Sequence, residues 1–403
     1  MQCFLVAGAW AAMTATLIGC EPSTTVPQNR APGVSPFEIR IGSSSALTGQ
    51  ANFLGTQLLH GSEAWLNEVN AKGGIRGRKI TIVSLDDGYE PARAVTMTQK
   101  LLVEEDVLAL FDFVGTPTSV KVLPLVNRAR VPLLGLMTGA EALRTPLSPW
   151  VFHVRDSYYA EAEGAIALFV DRLKLQRIGI IYQQDAFGQA VLSGVQLALA
   201  RRRLQPTAAE SFARGTLEVA RACDAMKSAG AEAVVLVGTY APLAKAVKTS
   251  HDAGFTPWFD TVSFVGTEAY ARELVDKQRI DKANYARLIV TQVVPSPYAE
   301  EFPGVQEYRA LVHKYFSEDA PNYVALEGFI NAKVLTAILE RAGQNLDRDS
   351  LVHAAESVQD LDVGIGTPIT FGPADHVGLH GVYYSRLHVD GTFRLATPEE
   401  ISP

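Results

Sequence analysis

The stretch 177-RIGIIYQQDAFGQAVLSGVQLALARRR-203 decides the fold. Its first seven residues, RIGIIYQ (177–183), are β-rich and almost continuously apolar, as in a strand covered on both faces. Asp185-Ala186-Phe187-Gly188 then turns the chain, and a helical pattern follows over 187–203. A buried strand that runs straight into a helix is half of a β-α-β unit, which points to a parallel sheet.

The same rhythm extends in both directions. Further strand candidates are 37–43, 79–85, 107–114, 131–136, 231–238 and 287–294. Helical patterns are expected over 55–72, from Pro91 onward, and over roughly 118–130, 159–173, 217–229, 242–254, 303–316 and 327–342. Gly73-Gly74 stops the first of these, and Pro91 starts the second at the first helical position, with Glu90 at its positive end. Strands before about 155 form one group and those at 177–238 a second, so the chain is read as α/β, with two doubly wound parallel-sheet lobes. After 287 come one more strand, two long helices and a short β-rich tail, so the chain crosses between lobes more than once.

Composition narrows the function. The 403 residues are 47% hydrophobic and 20% charged, ordinary for a globular protein of about two domains. A net charge of -7 offers no basic field for a phosphate backbone, so no nucleic-acid partner is expected. Past residue 19 no apolar run approaches the ~18 residues that would cross a bilayer. Residues 1–19 are apolar or small and read as a signal peptide, although they lack its usual Lys or Arg. Leu17-Ile18-Gly19-Cys20 resembles a bacterial lipobox, and Pro-rich residues 20–36 read as a tether. Cys20 is thus the expected lipidation site, and the membrane is met only through that anchor, in the periplasm or at the cell surface. Of the other two cysteines, Cys3 would leave with the signal and Cys223 sits in a helical pattern as a packed thiol, so no disulfide is expected.

Ten segments, among them "GSSSALTGQANFLG", "EVNAKGGIRGRKI", "SLDDGYEPARAV", "VGTPTS", "TGAEALR", "DAFGQA", "VGTYAP", "SFVGTEAY" and "ALEGFINAKVL", follow one another from residue 42 to about 340. In that order they resemble the Leu/Ile/Val-binding branch of the type I periplasmic binding proteins, the solute receptors of ABC importers. The resemblance implies two lobes joined by a three-crossover hinge and closing on one small molecule, with an ABC importer permease as partner. The lobes are expected at 37–156 plus 290–370, and at 157–289 plus 371–403.

In open parallel sheets, ligands gather beyond the carboxyl ends of the strands. Lobe one offers the hydroxyl-rich loop Ser43–Leu54 and the turns Gly115–Ser119 and Met137–Ala140. Backbone N–H groups at the latter two, helped by Thr118, Ser119 and Thr138, would hold a carboxylate without an arginine. The resemblance implies that Thr118, Ser119, Thr138, Gly139 and Ala140 bind it, and matches Tyr240 to a ligand-contacting tyrosine. Phe187 and Asp185 would belong to the closing jaw, with Leu54 and Tyr89 as further lining residues.

One position departs from the pattern. Where amino-acid receptors of this branch carry a glutamate that pairs with the ligand's ammonium, this chain has Ser263. Asp185 and Glu268 are the possible substitutes, and the ligand is expected to be an amino acid or an organic or aromatic acid. No P-loop, GxSxG, HExxH or GxGxxG occurs, so no enzyme activity is expected. Asp86 and Asp87, without nearby His or Cys, read as turn residues, so neither metal nor cofactor is expected. The rival role is a receptor-like sensor or envelope lipoprotein that binds a protein partner.

Overall fold

The computed structural model describes Gln2 and residues 31–401. Cys3, Cys20, the signal peptide and most of the tether lie outside the described residues. Residues 31–36, expected at the end of the tether, instead fold back on the first strand: the Arg40 amide donates to Gly33 O at 2.8 Å, and Val34 bridges to Ile39.

The first sheet contains β1 (Glu38–Ser45), β2 (Lys79–Asp86), β3 (Ala109–Phe111), β4 (Leu133–Leu134) and β5 (Val151–Phe152). They are all parallel and run in the order β2-β1-β3-β4-β5. The second contains β6 (Ile178–Gln183), β7 (Ala209–Phe212), β8 (Ala233–Val237), β9 (Trp258–Thr261), β10 (Leu288–Gln292), β11 (Tyr383–Leu387) and β12 (Phe393–Ala396). Reading from β7, its order β7-β6-β8-β9-β10 repeats that of the first sheet, and β11 and β12 extend it antiparallel. The apolar run at β8 is buried at every residue, because helices cover both faces of a parallel sheet.

Helices α1 (Asn52–Ala71), α2 (Pro91–Val103) and α3 (Thr116–Ala129) belong to the first lobe. With the second go α4 (Tyr158–Ile166), α5 (Ala186–Arg201), α6 (Ala220–Ser228), α7 (Tyr240–Asp252) and α8 (Thr267–Arg272). Then α9 (Pro303–Tyr315), α10 (Tyr323–Ala342) and α11 (Arg348–Glu356) return to the first lobe's core. The chain therefore passes between lobes three times, after β5, after β10 and before β11. The expected boundary at 289/290 falls inside β10, which pairs with β9 and β11, while Val294 already packs in the first lobe.

Local chemistry explains the ends of elements. The Asp185 carboxylate caps α5, accepting from the Phe187 and Gly188 amides at 3.0 and 3.1 Å. Gly188 is required there, because a Cβ would lie 1.8 Å from the Gln183 carbonyl oxygen. The β3 ladder stops at Phe111, short of the predicted 114, because Asp112 adopts φ 53° and turns its carboxyl to Asn331 Nδ2 (2.8 Å) and Ser62 Oγ. That polar knot fastens β3, α1 and α10 together. Cys223 is buried, with its thiol 3.5 Å from Ala246 O.

Candidate ligand-binding site

Strand order fixes where a site can form. In a 2-1-3-4-5 sheet, loops diverge between the first and third strands, leaving a crevice at their carboxyl ends. Here that point occurs twice. In lobe one it is bordered by Ser45 at the end of β1 and the turn after β3; in lobe two by Gln183 at the end of β6 and Thr239 after β8. The two crevices face one another, and residues of both are fully buried.

The two lobe-one turns lie side by side. Gly115 N donates to Met137 O at 3.1 Å, and the Thr116 and Thr138 hydroxyls are 2.7 Å apart. Gly115 has φ 95°, and a Cβ there would meet the Tyr89 ring at 2.1 Å, so the glycine serves both a left-handed turn and a close aromatic neighbour. Helix α3 begins at the next residue, leaving its first amides without intrahelical acceptors. Thr118 turns its hydroxyl back onto the carbonyls of Val114 and Gly115, so the expected side-chain donor is already committed within its own turn. Ser119 differs: its hydroxyl is fully buried and has no hydrogen-bond partner in the protein. At the second turn, the Ala140 amide donates to Thr138 Oγ1 at 3.3 Å, so this amide and hydroxyl are partly satisfied already. Gly139 lies under Tyr158, whose amide donates to Gly139 O at 2.7 Å.

An aromatic chain then crosses from lobe to lobe. Tyr89 and Phe264 have ring centroids 5.9 Å apart, Phe264 and Phe187 4.7 Å, and Phe187 and Tyr158 5.3 Å. All four side chains are fully buried. Burial pushes the Tyr158 phenol up to about 12, and the Tyr89 phenol well above its ordinary value, so both keep their O–H donors at neutral pH. Tyr158 stands beside Thr138 and Thr116, and Tyr89 beside the Gln183 amide.

Behind the rings lies a buried ionic network. Arg155 Nη2 donates to Glu161 Oε1 at 3.0 Å and to the Ser263 hydroxyl, and Nη1 is 3.4 Å from Glu327. Glu161 also accepts from the Ser263 amide (2.7 Å), the Ser263 hydroxyl (3.1 Å) and the Thr291 hydroxyl (3.1 Å). Burial raises both carboxyls, with Arg155 pulling the other way. Burial also opposes the Arg155 charge, but Glu327 and Glu161 more than offset it, and its pKa lies above the ordinary value.

The remaining expected residues are spread around this centre. Asp185 caps α5 and also takes Gln183 Nε2 at 2.5 Å and Arg214 Nε at 3.3 Å. Arg214 reaches across to lobe one, stacking at 4.6 Å over the Tyr89 ring and pairing with Glu90 at 3.2 Å. Tyr240 lies at the rim, donating to Asn52 Oδ1 at 3.0 Å and lining a surface groove with Phe53 and Arg272. Leu54 is an interlobe packing residue against Gly266, where a Cβ would sit 2.7 Å from Leu54 Cδ2. Glu268 accepts from the Tyr323 amide at 3.2 Å at the start of α10, and its other carboxyl oxygen is buried without a hydrogen-bond partner. Asp86 and Asp87 form turns, accepting from the amides of Leu47, Thr48, Gly88 and Tyr89 and from the Ser44 and Thr48 hydroxyls.

Arg155, Tyr158, Glu161, Phe264 and Arg214 were not anticipated. The available signal was an Arg and a Glu flanking "DSYYA" at a helix start, charged groups just where a buried crossover was expected.

Two parallel-sheet lobes shut over a buried crevice of hydroxyls and rings define a solute receptor, a protein that binds by closing. The comparisons are more specific: the family model for periplasmic binding protein matches residues 38–392, and the chain belongs to that family. It is similar to Leu/Ile/Val-binding protein homolog 3 of Brucella melitensis, with 24% identity over 336 residues, 82% of this chain and 86% of that protein. The crystal structure of a possible leucine/isoleucine/valine-binding protein from Rhodopirellula baltica superposes with a TM-score of 0.85 at 30% identity, covering 93% of this chain and 99% of that one. A fatty acid ABC transporter substrate-binding protein from Thermomonospora curvata shares the fold (TM-score 0.80, 20% identity, 92% and 94% covered). The relatives are solute-binding proteins rather than enzymes, and membership of the periplasmic binding protein family places this chain outside the cytoplasm. Among the described residues no helix is long and apolar enough to cross a membrane.

Proposed function

We propose that the protein captures a small carboxylate-bearing solute in the interlobe crevice and delivers it to an ABC importer permease, held to the membrane by lipid on Cys20. The observation that carries this reading is Ser119: a buried hydroxyl without a partner, one turn into α3 and next to the paired Thr116–Thr138 turn. A buried donor left unpaired costs about 1–3 kcal/mol, and a carboxylate held at a helix N-terminus would repay it. Thr118 and Ala140 contribute through the backbone, with Tyr158 as a further O–H donor. The names of the relatives include a branched-chain amino acid receptor and a fatty acid receptor, so the fold alone does not choose the solute.

The protein-partner role has less support. The most exposed large apolar side chains, Val103, Phe37 and Val389, fall on separate segments, whereas a docking face needs a contiguous patch.

Thermal unfolding of residues 31–403 against a panel of amino acids, carboxylic acids and amides tests the proposal. A true ligand at ~100 times its Kd adds about 2.7 kcal/mol of stability. Carboxylates should give that shift, and Ser119→Ala should abolish most of it. An undiminished shift in the variant would contradict the assignment.

A further inference from the structure

We propose that Glu268 is a proton-controlled latch between the lobes: shutting them requires its carboxyl to take up a proton, and its ionisation favours parting them. The latch is independent of which solute fills the crevice.

Glu268 is carried by α8 of lobe two, yet the groups around its carboxyl come from the other side of the interface. Oε1 accepts from the Tyr323 amide at 3.2 Å, at the first residue of α10. The phenols of Tyr298, Tyr308 and Tyr323 face the carboxyl from the segment after β10, from α9 and from α10. They are already engaged elsewhere. Tyr298 gives its O–H to Pro321 O at 2.7 Å, Tyr308 gives its own to Asn322 O at 3.0 Å, and Tyr323 stands beside Ser296 and Ser385. Oε2 is left buried without a hydrogen-bond partner. The charged group that faces Glu268 is Arg272, one turn further along α8, whose guanidinium stacks 4.9 Å over Phe53 of lobe one.

A buried carboxyl oxygen without a donor costs little while the group is neutral and much more once it is charged. Burial accordingly outweighs the Tyr323 amide and Arg272, and raises the group to about 7 from an ordinary 4.5. Parting the lobes takes α10 and the three tyrosines away with lobe one and returns the carboxyl to water, where it regains its ordinary value. The shut state thus binds the proton more tightly than the open state. Its share of the population is therefore greatest below pH 4.5, declines as pH rises to 7 and is level above. Across that window the closing equilibrium shifts on the order of 100-fold.

Small-angle scattering on residues 31–403, with no solute added, tests the latch at pH 5 and pH 8. The parent is compared with Glu268→Gln, whose amide copies the neutral acid, and with Glu268→Ala, which removes the group. Circular dichroism at both pH values establishes that each variant is folded. The parent should have a smaller radius of gyration at pH 5 than at pH 8. Glu268→Gln should be as compact at both as the parent is at pH 5, and Glu268→Ala should also lose the response. Three results would each overturn the latch: a parent whose dimensions ignore pH, a variant that keeps the parent's response, or a Gln variant that is open throughout.

Discussion

At the scale of single residues, the site is distinguished by which hydroxyls are already spent. Thr116, Thr118 and Thr138 satisfy one another or their own turns, whereas Ser119 has nothing to donate to within the protein. Hydrogen bonds to charged groups contribute about 1.5–3 kcal/mol, so Ser119→Ala should weaken a carboxylate ligand by at least tenfold in titration calorimetry. Thr118→Ala should affect stability more than affinity, since its hydroxyl braces the start of α3. Gly115→Ala has a double penalty, a φ of 95° and the Tyr89 ring 2.1 Å from the new Cβ. It should cost about 1–3 kcal/mol by chemical denaturation, and more than tenfold in affinity. The sequence showed where the hydroxyls were, but their partners depend on how β3 and β4 bring two turns together. That information is tertiary, and no local pattern encodes it.

At the scale of elements, buried charges join segments that the chain keeps far apart. Arg155 links the β5–α4 crossover to α4, to the loop after β9 and to α10. Replacing Arg155 with Met should destabilise the protein by roughly 3–5 kcal/mol in urea unfolding, because two carboxylates would remain buried without their cation. Glu268 gives a pH test. Burial raises its pKa to about 7 from an ordinary 4.5, so the folded state binds its proton more tightly than the unfolded state. Its stabilising contribution is complete below pH 4.5 and is lost as pH rises through 7, by up to roughly 3 kcal/mol. Glu268→Gln should flatten that part of the stability profile between pH 5 and 8. Long elements were legible: α1, α3, α5, α7 and α9 begin within three residues of their predicted starts. Among the short ones, β4 lies inside the expected strand at 131–136, but β5 was not legible, because it pairs over two residues, too few to show any periodicity. Helix α10 starts four residues before its predicted position, because Asn322 caps it at the Ala325 amide (2.8 Å), a signal present in the sequence but unused.

At the scale of the whole molecule, the described lobes are in contact across the crevice. Arg214 meets Tyr89 and Glu90, Tyr240 meets Asn52, and Arg272 stacks 4.9 Å over Phe53. Contacts made only when the lobes are shut raise affinity by favouring the shut state, without touching the solute. Arg214→Ala should therefore weaken ligand binding severalfold, while the unliganded protein loses under 1 kcal/mol of unfolding free energy. Small-angle scattering should show the variant more open than the parent at the same ligand concentration. The two-lobe plan was readable from alternating strand and helix runs. The placement of the second crossing was harder, because β10 belongs to one lobe and Val294, just after it, packs in the other. A boundary drawn from composition cannot find a strand that changes lobes at its end.

The central claim is that hydroxyl and amide donors grip a negatively charged oxygen pair between closing lobes. Phenylacetate and its neutral isostere phenylacetamide isolate that charge, since they differ only in the group presented to Ser119 and the start of α3. Calorimetric titration of both is predicted to give a Kd at least ~100-fold lower for the acid. Equal affinity for acid and amide would contradict the account.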